Sequence, residues 1–203
     1  MITIYGMPSS GNCYKPRLLA ALIGRSFRHI GVSTEDGGTA RPEYLTKNPV
    51  GKVPLLETDD GRYLPESNAI LYYLGEGTAF VPTDPFERAE MLSWMFFEQY
   101  SHEPFVAVRR SLIIYPRLSA FATDDRLAET LAGGIKALGV MERRLAEHDW
   151  LAGRSASLAD ITLYAYTHVA DEGGFDLNAF PAISAWLRRI EALPGYQPIT
   201  WLP

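Results

Sequence analysis

The order of hydrophobic periodicities along the first 75 residues constrains the fold more than any other feature of this chain. Residues 1–5 (MITIY) alternate apolar and polar side chains as a strand does. Residues 14–24 (YKPRLLAALIG) carry apolar side chains at helical spacing, and Gly24 is a natural helix stop. A second strand-like run, SFRHIGV, follows at 26–32. Strand, helix and strand in this order predict a parallel β-α-β unit.

A hairpin and a helix follow this unit. In KVPLLETDDGRYL (52–64), two short apolar runs flank Asp59-Asp60-Gly61, and Asp-Gly supplies the positive φ angles that a tight turn needs. A short helical stretch precedes the hairpin at 43–47, and ESNAILYYLGEG (66–77) reads as a helix that ends near Gly75. The predicted unit is therefore β-α-β-α-β-β-α, an α/β fold with a mixed four-stranded sheet.

The composition changes at TAFVPTDPFE (78–87), and the remaining chain has a helical period. Four helices are predicted, with Pro104 kinking the first, at 86–115, 124–148, 157–170 and 181–193. Ser157 stands three residues before Asp160, which predicts a capping box at the third of them. We therefore predict an α/β domain at 1–76, a linker at 77–85 and an all-α domain at 86–203.

Composition excludes several classes of function. The net charge of −5 gives no basic surface for nucleic acid and no polybasic segment for an anionic membrane. No apolar run is long enough to span a bilayer, and no secretory signal is expected. The single cysteine excludes an internal disulfide and fits a cytoplasmic location. The four histidines lack ligand spacing and the common metal and P-loop motifs are missing, so no metal is expected.

Two short motifs are suited to holding an amino-acid-like ligand. Glu66 and Ser67 open a helix, where free N–H groups and a hydroxyl suit a carboxylate and the acidic side chain suits an ammonium group. On these two residues alone, the preferred interpretation is a plain N-cap with an acidic residue in a favourable position near the helix dipole. Pro54 begins a strand, and a cis Val53–Pro54 bond would turn the Val53 backbone outward, although trans is the commoner geometry.

The loop MPSSGNCYKPR (7–17) concentrates side chains that can donate a hydrogen bond just ahead of the first helix: Ser9, Ser10, Asn12 and Cys13. Proline is tolerated only in the first turn of a helix, where its missing N–H has no intrahelical partner in any case. Pro16 therefore predicts a helix start no earlier than about Cys13.

The motifs NPVGKVPLL and PESNAILYYL, with SLADITLY in the all-α domain, resemble the cytosolic glutathione transferases over the whole chain. The resemblance implies a thioredoxin-like first domain of the serine type, similar to the theta and zeta classes. It also implies glutathione as co-substrate, a small electrophile as second substrate, a homodimer and a cis Val53–Pro54 bond. Val53, before Pro54, would pair with the cysteinyl backbone of glutathione, Glu66 and Ser67 would hold its γ-glutamyl end, and Lys52 would lie near its glycine carboxylate.

The resemblance also ranks the candidates for activating the glutathione thiol. Ser10 matches the hydroxyl of the serine-type members, with Ser9 in its place if the loop register shifts by one. Asn12 resembles the asparagine of the disulfide-reductase branch, and Cys13 the cysteine of another branch. Tyr5 would be the tyrosine-type candidate, but its place at a strand end favours a structural role. The order of preference is Ser10, then Asn12 or Ser9, then Cys13, then Tyr5.

The aromatic-rich segment 88–117 supplies candidates for a second-substrate pocket. Tyr100 and Phe105 would line it, or pack in the core or a dimer interface, and Arg109 would reach an anionic substrate or remain a solvated charge. The expected function is conjugation or exchange of the glutathione thiolate with a small electrophilic substrate. The alternatives are a glutathione-dependent disulfide reductase or peroxidase, and a non-catalytic ligand-binding protein of the same fold.

Overall fold

The computed structural model describes all residues from 1 to 203. They divide into two compact units, Met1–Thr78 together with Leu193–Pro203, and Ala79–Ala192. The division after Thr78 falls inside the stretch expected to be a linker. The tail from Leu193 belongs with the first unit, although the sequence had placed it in the second domain. The reason is that Tyr14 and Arg17 of the first helix donate hydrogen bonds to backbone carbonyls of the tail.

The first unit has the predicted thioredoxin-like β-α-β-α-β-β-α order. Its four strands form one sheet in the order β2-β1-β3-β4, with β1 and β2 parallel and the pairs β1–β3 and β3–β4 antiparallel. The parallel unit and the hairpin are both confirmed. The elements are β1 (Ile2–Gly6), α1 (Gly11–Leu22), β2 (Phe27–Gly31), α2 (Pro42–Leu45), β3 (Leu55–Glu57), β4 (Tyr63–Pro65) and α3 (Ser67–Gly75).

Helix α1 begins earlier than predicted. It starts at Gly11, so Pro16 lies in its second turn, and the expectation of a start near Cys13 is wrong. Ser10 is the N-cap residue, and its side-chain oxygen accepts a hydrogen bond from the Cys13 N–H. This cap stabilises a start that proline alone would not favour, because Pro16 cannot donate to the carbonyl four residues before it.

The sheet buries different side chains on its two faces, since successive strand residues point in opposite directions. Ile4 and its partner Leu56 are fully buried. Tyr5 and Leu55, which point the other way, form a cluster with Tyr44 of α2. The edge-to-face contact of the Tyr5 and Tyr44 rings, 6.4 Å between centroids, fixes α2 against this face.

The second unit is all-helical, as predicted. The expected long first helix is broken, because a five-residue π-helical segment, Glu98–His102, interrupts it where Pro104 has no N–H to donate to the preceding turn. The helices are α4 (Pro85–Phe97), α5 (Val106–Ile114), α6 (Asp124–Glu147), α7 (Leu158–Thr167) and α8 (Pro181–Glu191).

The predicted capping box at α7 is confirmed. The Asp160 carboxylate accepts hydrogen bonds from the Ser157 N–H at 2.9 Å and the Leu151 N–H at 3.0 Å. It also accepts one from the indole N–H of Trp186 at 2.9 Å. A fully buried carboxylate with these donors ties α7 to the loop before it and to α8. This is a structural role within the second unit, and it explains the burial of Asp160 without any catalytic function.

Candidate functional site

The Val53–Pro54 peptide bond is cis, as predicted from the resemblance. Pro54 is buried immediately before β3, Val53 is half-buried and Lys52 is exposed. The Lys52 carbonyl accepts hydrogen bonds from the Tyr44 hydroxyl at 2.6 Å and from the Asn48 side-chain amide at 2.8 Å. These contacts hold the segment just before the cis bond in one conformation.

The start of α3 carries an unusual backbone conformation. Glu66, its N-cap residue, has φ 73° and ψ 114°, and it is the only residue other than glycine with a positive φ. Such angles cost of order 1–3 kcal/mol for a residue with a side chain, and they are concentrated at functional sites. The Glu66 side chain is exposed, whereas Ser67, the first residue of the helix, is buried. The strain was not evident from the sequence.

Ser67 is joined to α1 by a hydrogen-bonded cluster. Its hydroxyl donates to Oδ1 of Asn12 at 3.1 Å and accepts from Nζ of Lys15 at 3.3 Å. Lys15 is fully buried and also donates to Oδ1 of Asn68 at 3.3 Å. The structure thus brings Asn12 and Ser67 together, although they are 55 positions apart in the chain.

Sequence reasoning missed Lys15. Its spacing of three from Asn12 was an available signal, because residues three apart lie on the same face of a helix. A lysine in a helix is usually solvated, however, so only the burial of this one distinguishes it.

The candidates for thiol activation near the start of α1 differ in how exposed they are. Ser9 is exposed and Ser10 is half-buried as the helix cap. Cys13 is fully buried, its sulfur accepts from the Met7 N–H at 3.3 Å, and burial raises the pKa of its thiol. A reactive cysteine requires an accessible thiol with a lowered pKa. The geometry therefore disfavours Cys13 as a nucleophile or as a partner in a mixed disulfide.

Tyr5 is committed to contacts within the first unit. Its hydroxyl donates to the Glu57 carboxylate and accepts from Nζ of Lys47 at 2.8 Å. Burial is the main cause that raises the pKa of Tyr5. Both features agree with the structural role favoured by its position at the strand end.

The three residues expected to form a second-substrate pocket have different surroundings in the second unit, although the Arg109 N–H donates to the Phe105 carbonyl at 2.9 Å. Tyr100 is exposed on the π-helical segment, and the Phe105 ring packs so closely on Gly133 that a side chain there would overlap it. Arg109 donates to the carbonyls of Gly173, at 2.6 Å, and Leu127. Arg109 is thus engaged inside the unit, and the geometry disfavours it as an anchor for an anionic substrate.

The second unit does contain a cavity nearby, between α5 and the start of α6. Its volume is about 560 Å³, and none of the three expected residues lines it. The side chains around it are mostly apolar: Val108, Ser111, Leu112, Leu118, Ala120, Phe121, Thr123 and Arg126.

No cluster of three or more His, Cys, Asp or Glu side chains is placed to hold a metal ion. No helix is both long and apolar enough to cross a membrane.

Comparison with known proteins agrees with this architecture. Residues 1–76 match the glutathione S-transferase N-terminal domain, and residues 105–194 match the glutathione S-transferase C-terminal domain. The chain is 30% identical to the disulfide-bond oxidoreductase YfcG of Escherichia coli (strain K12), over 96% of this chain and 92% of that protein. It is also 30% identical to glutathione S-transferase 3 of Zea mays, over 97% and 91%.

A solved structure extends the likeness to three dimensions. A glutathione S-transferase from Pseudomonas fluorescens [Pf-5] superposes with a TM-score of 0.94 at 45% identity, covering 98% of both chains. Family models, curated relatives and structure therefore agree, and the chain belongs to the glutathione S-transferase family, whose co-substrate is glutathione.

Proposed function

We propose that this chain is a glutathione transferase, which binds glutathione in its first unit and transfers the thiolate to a small electrophile. The observation that carries the proposal is the pairing of the cis Val53–Pro54 bond with the strained Glu66–Ser67 helix start. Beside the first, half-buried Val53 would offer its backbone hydrogen-bonding groups to a peptide-like ligand. The second offers a helix N-terminus to its α-carboxylate and an acidic side chain to its ammonium group.

Glutathione fits these groups residue by residue. The Val53 backbone would pair with the cysteinyl residue, Ser67 and Glu66 would hold the γ-glutamyl end, and exposed Lys52 would face the glycine carboxylate. Held at three points along its length, the tripeptide would place its sulfur near the N-terminus of α1, which Ser67 contacts through Asn12 and Lys15. Such fixation lowers the entropy cost of reaction at the sulfur atom.

Ser10 remains the first candidate for stabilising the thiolate. Its oxygen accepts the Cys13 N–H at 3.3 Å, which polarises its own O–H as a donor. Hydrogen bonding from Ser10 opposes the rise that burial causes in the pKa of the Cys13 thiol, and the glutathione thiolate would be a stronger acceptor for the same hydroxyl. A donor aimed at the thiolate lowers the thiol pKa. The proton would leave to solvent, the sulfur would bond to the electrophilic carbon, and the leaving group would depart with its electron pair.

Disulfide exchange is the second candidate function, and the position of Asn12 favours it. Because Oδ1 of Asn12 accepts from Ser67, the amide group is oriented by the γ-glutamyl site itself. The relative named as a disulfide-bond oxidoreductase points the same way. In this reaction the thiolate would attack a disulfide sulfur, forming a mixed disulfide and releasing a thiolate, and a second glutathione would then resolve the product.

Titration calorimetry with glutathione tests the binding site. Ser67→Ala removes one hydrogen bond to a charged group, so we expect a loss of about 1.5–3 kcal/mol in binding free energy. The matched control is Ser26→Ala, which changes an exposed serine of the same unit and should leave affinity unchanged. Unchanged affinity in Ser67→Ala would remove the proposed γ-glutamyl site.

Turnover assays then separate the reactions. An aryl halide reports conjugation and a mixed disulfide reports exchange, each tested with wild type, Ser10→Ala and Asn12→Ala. Loss of conjugation in Ser10→Ala alone supports the transferase. Loss of exchange in Asn12→Ala alone supports the disulfide reductase. Glutathione binding without either activity would identify a non-catalytic binding protein.

A homodimer is part of the same proposal. We place α3 and α4 at the interface because large apolar side chains are exposed on both: Tyr73 of α3 is 43% exposed, and Phe86 and Phe96 of α4 are 78% and 68% exposed. Light scattering should therefore give about twice the chain mass of 22.6 kDa. A mass equal to that of one chain at micromolar concentration would contradict the dimer.

A further inference from the structure

Arg17 of α1 is fully buried, and its hydrogen bonds all go to backbone carbonyls. Its guanidinium also lies over the ring of Tyr14, 5.8 Å from the centroid, a contact that a phenylalanine there would keep. Its Nε donates to the Cys13 carbonyl at 3.3 Å, and Nη2 donates to the Pro8 carbonyl at 2.7 Å. The remaining contacts reach the C-terminal tail: Nη1 donates to the Trp201 carbonyl at 2.9 Å, and Nη2 to the Ile199 carbonyl at 3.2 Å. No carboxylate pairs with this guanidinium.

Burying a cation without a carboxylate partner costs free energy, because the lost hydration is offset here only by carbonyl dipoles and by the face of the Tyr14 ring. Burial accordingly lowers the pKa of Arg17. Stability alone would be served as well by an apolar side chain of similar volume. An apolar side chain, however, could not hydrogen-bond three separate segments, as the planar guanidinium does with α1, the loop before it and the C-terminal tail.

Two of these segments flank Ser10. Pro8 lies two residues before it, in a turn closed by the hydrogen bond from the Ser10 N–H to the Met7 carbonyl at 3.3 Å. Cys13 lies three residues after it and donates its N–H to the Ser10 side chain. Arg17 therefore holds the chain on both sides of Ser10, from the interior of the unit.

We propose that Arg17 is a positioning residue for thiol activation: together with the tail carbonyls of Ile199 and Trp201, it fixes the loop 7–10 so that the Ser10 hydroxyl meets the glutathione sulfur. This inference rests on the proposed function. The inference assigns a part in catalysis to the C-terminal tail. Arg17 links the tail to the loop, because its guanidinium donates to the Ile199 and Trp201 carbonyls and also to the Pro8 carbonyl. Binding of the γ-glutamyl end depends on Glu66 and Ser67, and is therefore separable from it.

The test compares three variants with wild type: Arg17→Met, Arg17→Lys and a chain ending at Pro198. In each, the thiol pKa of bound glutathione is followed by thiolate absorbance, with kcat and KM measured between pH 6 and 9. We expect the thiol pKa to rise by about one unit, which means about tenfold less thiolate at low pH. The loss in kcat should disappear at high pH, and the Kd for glutathione should change less than threefold.

Tyr14→Phe is the matched control. It removes a different hydrogen bond from α1 to the tail, to the Gln197 carbonyl, and leaves both Pro8 and Arg17 in place. It should therefore keep the wild-type thiol pKa even if it lowers the melting temperature. Circular dichroism checks the fold of each variant. If Arg17→Met fails to fold, the truncated chain still tests whether the contact between Arg17 and the tail is needed for thiol activation.

The outcomes are distinct. Variants that keep the wild-type thiol pKa would overturn the inference and leave the proposed function intact. Full rescue by Arg17→Lys would overturn it too, because charge rather than the geometry of the guanidinium would then be responsible. An activity loss of equal size at every pH would show a merely structural role. A wild-type chain that does not bind glutathione would overturn the proposed function and this inference together.

Discussion

Replacing Glu66 by glycine should separate stability from glutathione binding. Glu66 adopts φ 73° and ψ 114°, where a Cβ atom collides with the adjacent backbone. Relief of this conformation is worth about 1–3 kcal/mol. Glycine loses about 0.5–1 kcal/mol more conformational entropy on folding than alanine does. The difference of these two ranges runs from about 0 to 2.5 kcal/mol, and we expect Glu66→Gly to be more stable than Glu66→Ala by about 1 kcal/mol, near its middle.

The assay is thermal unfolding of both variants followed by circular dichroism. For a chain of this size, about 1 kcal/mol corresponds to roughly 2–4 °C in Tm, so Glu66→Gly should melt about 2–4 °C above Glu66→Ala. Both variants lack the carboxylate. Titration calorimetry should therefore find the same weakened glutathione affinity in each, because the acidic partner for the ammonium group is gone.

Ala69→Gly is the control. It lies in the same helix, is exposed and follows ordinary helical geometry, so glycine there should destabilise by about 0.8–1 kcal/mol. The two glycine substitutions should thus act in opposite directions. If Glu66→Ala proves as stable as Glu66→Gly, the reasoning from backbone strain is refuted.

Two further predictions concern the thiol and the response to pH. Ser10→Ala should lower turnover by about tenfold to a thousandfold, as expected for loss of one oriented donor. Cys13→Ser should leave conjugation nearly intact. If steady-state assays gave the reverse pattern, Cys13 and not Ser10 would be the activating residue. Burial lowers the pKa of His168 to about 4 from its ordinary value near 6.5. The unfolded chain therefore takes up a proton before the folded one does, and the unfolding free energy should fall as pH drops from about 6.5 to 4, by up to about 3 kcal/mol. Urea unfolding at several pH values in this range should show that the unfolding free energy depends less steeply on pH in His168→Gln than in wild type. An equal pH dependence in both would contradict the lowered pKa of His168.

Local patterns determined the order of elements in this protein. The alternation in residues 1–5, the Asp-Gly turn and the Ser157–Asp160 spacing each act within a few residues, so a single sequence displays them. They predicted the parallel unit, the hairpin and the capping box, all of which the structure contains. The cis Val53–Pro54 bond could not be predicted from local pattern, because the residues alone favour trans. Only the family resemblance predicted the cis geometry that the structure has.

Tertiary structure decided how the site is built. Ser67 meets Asn12 and Lys15 across more than 50 residues of sequence, and Arg17 meets the tail across more than 180. No pattern of spacing reveals such contacts, because they arise from how α1 packs against α3 and how the tail packs on α1. The same holds for Arg109, which the sequence could place on a helix but not direct toward the Gly173 carbonyl. The sequence determines the chemistry of each side chain, whereas long-range packing determines which partner that side chain contacts and therefore what it can do.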